Sequence, residues 1–527
     1  MSSGKVIARA TLLIMLLSLV SRFFGLGREM AIAGKFAATG LADAFYVAFT
    51  IPNIFYAVAG MALATVIVPI FTEYVSKGRR EDAWRLCSMV TNALILVTMG
   101  ATAAGILAAP LIVGLLGQGF PAGTMDLAVK LMMVMFPSIV FYSLAGLFTG
   151  ILNANNVFGI PAVGPVAMNV VIIFGALVLS REYGVFGLAF GVLGGAAALA
   201  FIQLPALRAV GFRYSLAVDF RHPEVLRVVY LMAPLTLGLA VNQIYMMIDW
   251  NMASGLAEGS IAALNYANKL VQLPQSLFVL AVSTAIYPTL SRLIADGVRG
   301  EAGETLRRAI KVVLFLTVPA AVGILVLRDP IVSLLYRRGE FDERSAALTS
   351  LALLFFSVGV VGQCLVMLVQ RGFFAMQDTR TPVMVTLSTV FVKLGLSLIF
   401  IKFLAHGGLA LATSLTALLN AVILIALLQR RLPQLIAPDL VKFTAGVSAA
   451  AVVMGLAVFT LDGFLAAALG AHGVSLLARV FFDIVCGAFV FFVAGFLLRL
   501  DELMHIADFV LRSLTGKVTG RVYRGRI

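Results

Sequence analysis

The sequence predicts an all-α polytopic membrane protein with about 14 transmembrane helices, arranged as two six-helix pseudo-symmetric lobes plus two C-terminal helices. Three observations predict it. Of the 527 residues, 61% are hydrophobic and only 12% charged, and the mean hydropathy is +1.04, outside the range of soluble globular domains. Apolar runs of about 20 residues, enough to cross a bilayer, recur along the whole chain. Basic residues collect in alternate connecting loops, as membrane topology demands.

On that ruler the spans fall near residues 6–27, 42–74, 83–107, 126–152, 160–181, 184–208, 225–251, 259–291, 306–327, 346–376, 381–404, 408–429, 440–461 and 475–499. The first follows Lys5 and Arg9 and has the outline of a signal peptide, but it continues past Ser21-Arg22 without a small-x-small cleavage site. It is read as a retained helix. With the N-terminus in the cytoplasm, the inside loops carry Lys77, Arg79 and Arg80, then Arg208, Arg213 and Arg221, then Arg292, Arg299, Arg307 and Arg308, then Arg430 and Arg431. The outside loops at 108–125, 252–258 and 462–473 carry neither Lys nor Arg. RDPIVSLLYRRGEFDER at 328–344 mixes four Arg with four acids and is read as an ordered external turn. The tail, with Arg512, Lys517, Arg521, Arg524 and Arg526, can form a basic amphipathic helix on the cytoplasmic leaflet.

An internal repeat organises these spans. LFTGILNANNVFGIPAVGPV from Leu147 matches GFFAMQDTRTPVMVTLSTV from Gly372, with Pro161 and Pro382 in corresponding places. IPNIFYAVAGMALATVIVPIF from Ile51 parallels LPQSLFVLAVSTAIYPTL from Leu273, and Pro52, Pro69, Pro274 and Pro288 are expected to kink these two helices. The predicted divisions are therefore 1–215 (helices 1–6), 222–435 (helices 7–12), 436–500 (two additional helices) and 501–527 (the basic tail). An even number of helices per half relates the halves by an axis along the membrane normal, and such repeats usually flank a central cavity.

Several function classes are excluded on composition and spacing. The net charge of +14 sits in loops between apolar segments, so it argues for topology and not for nucleic acid. Cys87, Cys364 and Cys486 stand singly, and His222, His406, His472 and His505 are dispersed, so neither a disulfide framework nor a metal site is implied. No GxxxxGK[ST] loop occurs, and no acid cluster or Ser/His/Asp order points to an enzyme.

Seven charges within or at the edges of spans carry the functional signal: Arg22, Arg28, Lys35, Asp43, Asp249, Lys269 and Lys393. Arg22 is the most informative, because a guanidinium at membrane depth costs at least about 2.5 kcal/mol unless it meets water, an anion or a partner charge. It lies about 9 Å deeper than Arg28 along the first helix. Arg28 precedes Glu29 and also fits a snorkelling interface residue; Lys35 fits a solvated loop, and Arg22 could pair with Asp43. Asp249 and Lys393 are read first as a buried ion pair and second as a proton- or cation-coupling site. Five cations against two anions favour an anionic ligand, and the planar guanidinium fork suits phosphate.

Taken in order and spacing, SRFFGLGREMAIAGKF with ADAFYVAFTIPN at 21–53, VPIFTEY at 68–74, GILNANNVFGIPAVGP at 150–165, NYANKLVQLPQSLF at 265–278, YRRGEFDE at 336–343 and GFFAMQDTRTPV at 372–383 resemble the MurJ/MviN lipid II flippases of the multidrug/oligosaccharidyl-lipid/polysaccharide exporter superfamily. The resemblance covers essentially the whole chain. It implies two lobes around a cationic cavity, a lipid-tail groove on the last two helices, and alternating-access movement of the undecaprenyl-pyrophosphate-linked disaccharide-pentapeptide from the inner to the outer leaflet of the bacterial inner membrane. Carried over by position, the substrate-binding residues are Ser21, Arg22, Arg28, Asp43, Asn53 and Lys269. Expected partners are lipid II, membrane lipids and cell-wall synthesis proteins; no cofactor is expected, with coupling to membrane potential or a cation gradient left open. IFYAVAGMAL after the PN of helix 2 lacks an arginine that relatives carry, and Gln272 stands where relatives can have a glutamate. Both departures leave open another polyprenyl-linked saccharide as cargo, ahead of a drug/cation antiporter of the same superfamily. Some relatives bind a cation between helices 7, 11 and 12, where Lys393 would supply a fixed positive charge beside Asp249.

Overall fold

The computed structural model describes residues 3–469 and 473–498. The basic tail expected at 501–527 lies outside the described residues. All regular structure among the described residues is helical. In chain order the helices are α1 (Ser3–Phe36), α2 (Gly40–Ser76), α3 (Arg80–Leu116), α4 (Ala122–Met135) and α5 (Ser138–Ala154). Then come α6 (Gly159–Tyr183), α7 (Val185–Ala209), α8 (Pro223–Ser254), α9 (Ser260–Ala295) and α10 (Arg299–Val326). The last five are α11 (Arg328–Tyr336), α12 (Glu343–Ala375), α13 (Arg380–Gln429), α14 (Pro438–Leu469) and α15 (Gly473–Leu497).

Among the described residues ten helices are long and apolar enough to cross a membrane, and α4 with α5, bent by 41°, makes an eleventh. That is fewer than the number expected, in part because the 50-residue α13 holds two expected spans. Ala405 breaks it, at φ 48° and ψ −131°, between the spans expected at 381–404 and 408–429. Two expected loops are shorter than predicted. Of the stretch 108–125, α3 takes the residues up to Leu116, and of 462–473, α14 takes those up to Leu469. Small and polar residues end an apolar run in sequence, but a backbone near the bilayer keeps its own hydrogen bonds and so stays helical. The 328–344 segment is half helix, since α11 occupies its first part.

Of the four prolines expected to kink their helices, two precede a distorted turn, while Pro69 and Pro288 lie within regular helix. In α2 a π-helical turn at Tyr56–Gly60 follows Pro52, and in α9 another at Gln275–Val279 follows Pro274. Proline removes an intrahelical donor and crowds the carbonyl four residues back, and a widened turn accommodates both effects.

Residues form two compact units. The first comprises the chain up to Lys269 with Leu335–Thr349 and Ile401–Leu409. Within it α1 packs on α6, α6 on α7 and α2 on α5; a Cβ on Gly146 of α5 would stand 2.5 Å from the Cα of Gly60, so this crossing requires glycine. The second comprises Leu270–Leu334, Ser350–Phe400 and the described residues from Ala410 onward. Within it α14 packs on both α15 and α10.

Candidate functional site

In the first unit one acid gathers the chemistry. Glu29 follows Arg28 on α1 and is 2% exposed, so its carboxylate requires partners. It has three. Arg28 Nη2 donates to Oε1 at 2.7 Å, the Tyr46 hydroxyl of α2 donates to Oε2 at 2.8 Å, and Asn265 Nδ2 of α9 donates to Oε2 at 3.1 Å. The neighbouring turn of α9 brings Lys269, four residues after Asn265 and on the same helical face, within electrostatic reach of Glu29 and Arg28. Arg28 is itself oriented by α6, where Asn169 Oδ1 accepts from Nη1 at 3.2 Å.

Charge counting gives the chemical reading. Arg28 and Lys269 supply two positive charges and Glu29 one negative, so the cluster carries a surplus of one cation. Its acid is already saturated with donors. An added cation would meet repulsion, whereas an anion could draw on the guanidinium's further N–H groups and the ammonium. Among the described residues no group of three or more His, Cys, Asp or Glu side chains could hold a metal.

The other predicted residues are distributed as follows. Arg22 is exposed on α1 and has no hydrogen-bond or ion-pair partner among the described residues, so the pairing with Asp43 considered above is not formed. Ser21 contributes its backbone carbonyl, which accepts from Asn169 Nδ2 at 3.5 Å. Asp43 is buried and caps α9: Oδ2 accepts from the Gly259 amide and Oδ1 from the Ala262 amide, both at 2.7 Å. Gly259 has φ +89°, and a Cβ there would lie 1.9 Å from the Ala38 carbonyl oxygen, so only glycine allows this approach. Asn53 is half-buried on α2. Asp249 lies half-buried on α8 in the first unit, and Lys393 is fully buried on α13 in the second.

Arg28 is therefore no snorkelling side chain; it is 15% exposed and bonded to Glu29 on its own helix and to Asn169 on α6. Sequence reasoning singled out Arg28 and Lys269 but passed over Glu29, Tyr46, Asn169 and Asn265 as site residues. The available signal was an acid beside an intramembrane arginine, together with an asparagine one helical turn from an intramembrane lysine.

Comparison with known proteins identifies the fold and the family. The sequence model of the family described as "Lipid II flippase MurJ" matches residues 32–481. The chain is similar to the lipid II flippase MurJ of Burkholderia cenocepacia, at 31% identity over 85% of this chain and 88% of the relative. It is 35% identical to a probable lipid II flippase MurJ of Rhizobium tropici, over 83% and 84% of the two chains. A solved structure, "Lipid II flippase MurJ, inward closed conformation", superposes with a TM-score of 0.80 at 26% identity, covering 93% of this chain and all of that one. An inward-facing transporter of the multidrug MATE family shares the fold, with a TM-score of 0.66 at 15% identity over 80% and 98% of the chains.

Proposed function

The chain belongs to the lipid II flippase MurJ family, and from that premise we propose that it moves lipid II, the undecaprenyl-pyrophosphate-linked disaccharide-pentapeptide, from the inner to the outer leaflet. It is a multi-pass membrane transporter rather than an enzyme. The observation that carries the site assignment is the surplus cation of the Arg28–Glu29–Lys269 cluster. In this reading the pyrophosphate binds Arg28 and Lys269, with Arg22 completing the cationic wall and Ser21, Asp43 and Asn53 as polar residues of the same site.

Glu29 has a definite part in that cycle. With no substrate present it neutralises one cation and holds the guanidinium in place, so the site is formed before the anion arrives. When pyrophosphate enters, it shares the two cations with Glu29, which moderates affinity and allows release on the far side. The polar head crosses in a hydrated cavity while the isoprenoid tail stays in hydrocarbon against α14 and α15. Because the arginine expected after Asn53 is absent from IFYAVAGMAL, Arg22 and Arg28 carry more of the anion binding than in relatives that possess it.

The proposal extends to topology. Fourteen spans are divided at 1–215, 222–435 and 436–500, and both termini lie in the cytoplasm; rocking of one lobe against the other exposes the head to each leaflet in turn.

Depletion of a host's own lipid II flippase tests the assignment. Expression of this protein restores viability and outer-leaflet lipid II, and Arg28→Ala and Lys269→Ala, at equal membrane levels, fail to do so. A well-expressed wild-type protein that does not rescue sinks the lipid II assignment, whereas wild-type rescue by both variants sinks only the site.

A further inference from the structure

The seam between α14 and α15 holds an ionisable cluster with the opposite stoichiometry. Arg479 Nε of α15 donates to Asp462 Oδ1 of α14 at 2.6 Å, with the two side chains 11% and 18% exposed. One turn further along α15, Asp483 is 0% exposed, and neither carboxylate oxygen has a hydrogen-bond donor among the described residues. The charges that face it are Asp462 and Arg479.

Among the described residues no other element brings a counter-charge. On α10, which also packs against α15, Arg307 and Lys311 pair with Asp439 of α14; that is 23 residues, or about 34 Å of helix, before Asp462. Cys486, three residues beyond Asp483, adds only a thiol. The next turn is apolar, with Gly487 against Val458 and Met454, and the outward neighbours Phe482, Ile484 and Val485 are exposed side chains on a membrane helix.

One guanidinium therefore serves two carboxylates, and it is already bonded to one of them. An ionised Asp483 would be a desolvated charge without a donor, an arrangement that buried groups avoid by taking a proton. A protonated carboxyl becomes a donor, and the facing carboxylate of Asp462 is the acceptor within reach. Two ionised carboxylates cannot hydrogen-bond each other.

We propose that Asp462, Arg479 and Asp483 form an intramembrane proton-binding site between α14 and α15, with one proton shared by the two carboxylates and Arg479 balancing the remaining negative charge. Uptake of the proton leaves the seam neutral and closed. Its release places two anions on one cation, which draws Arg479 between them and loosens the helix pair.

The site is tested on the full-length protein in lipid nanodiscs by infrared difference spectroscopy. At neutral pH the wild type shows a protonated-carboxyl stretch that Asp483→Asn loses. Arg479→Gln strengthens the band, because Asp462 then takes a proton as well, and Asp483→Glu retains it at a shifted frequency. Absence of a protonated-carboxyl band in the wild type, or an identical band in Asp483→Asn, overturns the proposal. If Asp483→Asn does not fold, the Asp483→Glu comparison decides: an unshifted band is the overturning result.

Discussion

Glu29 and Asp483 are both carboxylates buried in membrane helices, and their surroundings differ in the number of donors. Glu29 receives Arg28, Tyr46 and Asn265, with Lys269 nearby. Among the described residues Asp483 receives none, and it shares one arginine with a second acid. Burial alone thus does not define what a charged group inside a membrane protein is for; the ratio of donors to acceptors around it does. Where donors exceed acids the unused capacity is for an anion, and where acids exceed donors it is for a proton. The two clusters lie in different compact units, so each can be altered separately.

The largest expected effect comes from removing an acid from the donor-rich cluster. Glu29→Gln leaves Arg28 and Lys269 without their counter-charge, and breaking a buried pair in this way costs about 3–5 kcal/mol when no new partner arrives. The variant should melt at a clearly lower temperature in detergent, and pyrophosphate-bearing lipid should restore more of that loss than it adds to the wild type. Equal ligand stabilisation of both proteins would mean that Glu29 does not compete for the cations.

Asp43 provides an intermediate case, because its donors are backbone amides. Replacement by alanine leaves the Gly259 and Ala262 amides without their acceptor, which costs about 1–2 kcal/mol as for other lost helix caps. Asp43→Asn, which keeps one acceptor oxygen, should fall between the wild type and Asp43→Ala in thermal unfolding. If both variants melt with the wild type, the capping bonds contribute nothing measurable.

How far the sequence revealed these sites follows from the kind of partner each acid has. The spans were legible because bilayer thickness imposes a repeating apolar length, and Arg28 and Lys269 were legible because cations inside such spans are costly. Glu29 was not, since Tyr46 and Asn265 reach it from 17 and 236 residues away. Capping by Asp43 left no mark either, because backbone amides have no side-chain signature. The cluster at Asp483 was missed for a different reason. Residues 462–473 read as a loop, whereas α14 continues to Leu469 and keeps Asp462 beside Arg479.

The smallest expected effect tests the same rule outside the membrane. Asp378 lies in the turn between α12 and α13; slight burial works to raise its pKa, but the Thr381 hydroxyl and amide and the Arg431 guanidinium outweigh this and hold it at about 2. A carboxyl with a depressed folded pKa stabilises the protein above its ordinary value, here 3.8, and loses that contribution as pH falls toward about 2. Because Arg431 is 44% exposed, its share is about 1 kcal/mol or less. The difference in melting temperature between wild type and Arg431→Ala should therefore be small and level from neutral pH down to about 5, then shrink below 4 as Asp378 becomes protonated. A difference that persists unchanged through that acid range would mean that Arg431 acts by packing against Phe373, over whose ring it also lies, and that counting donors fails for acids in the turns.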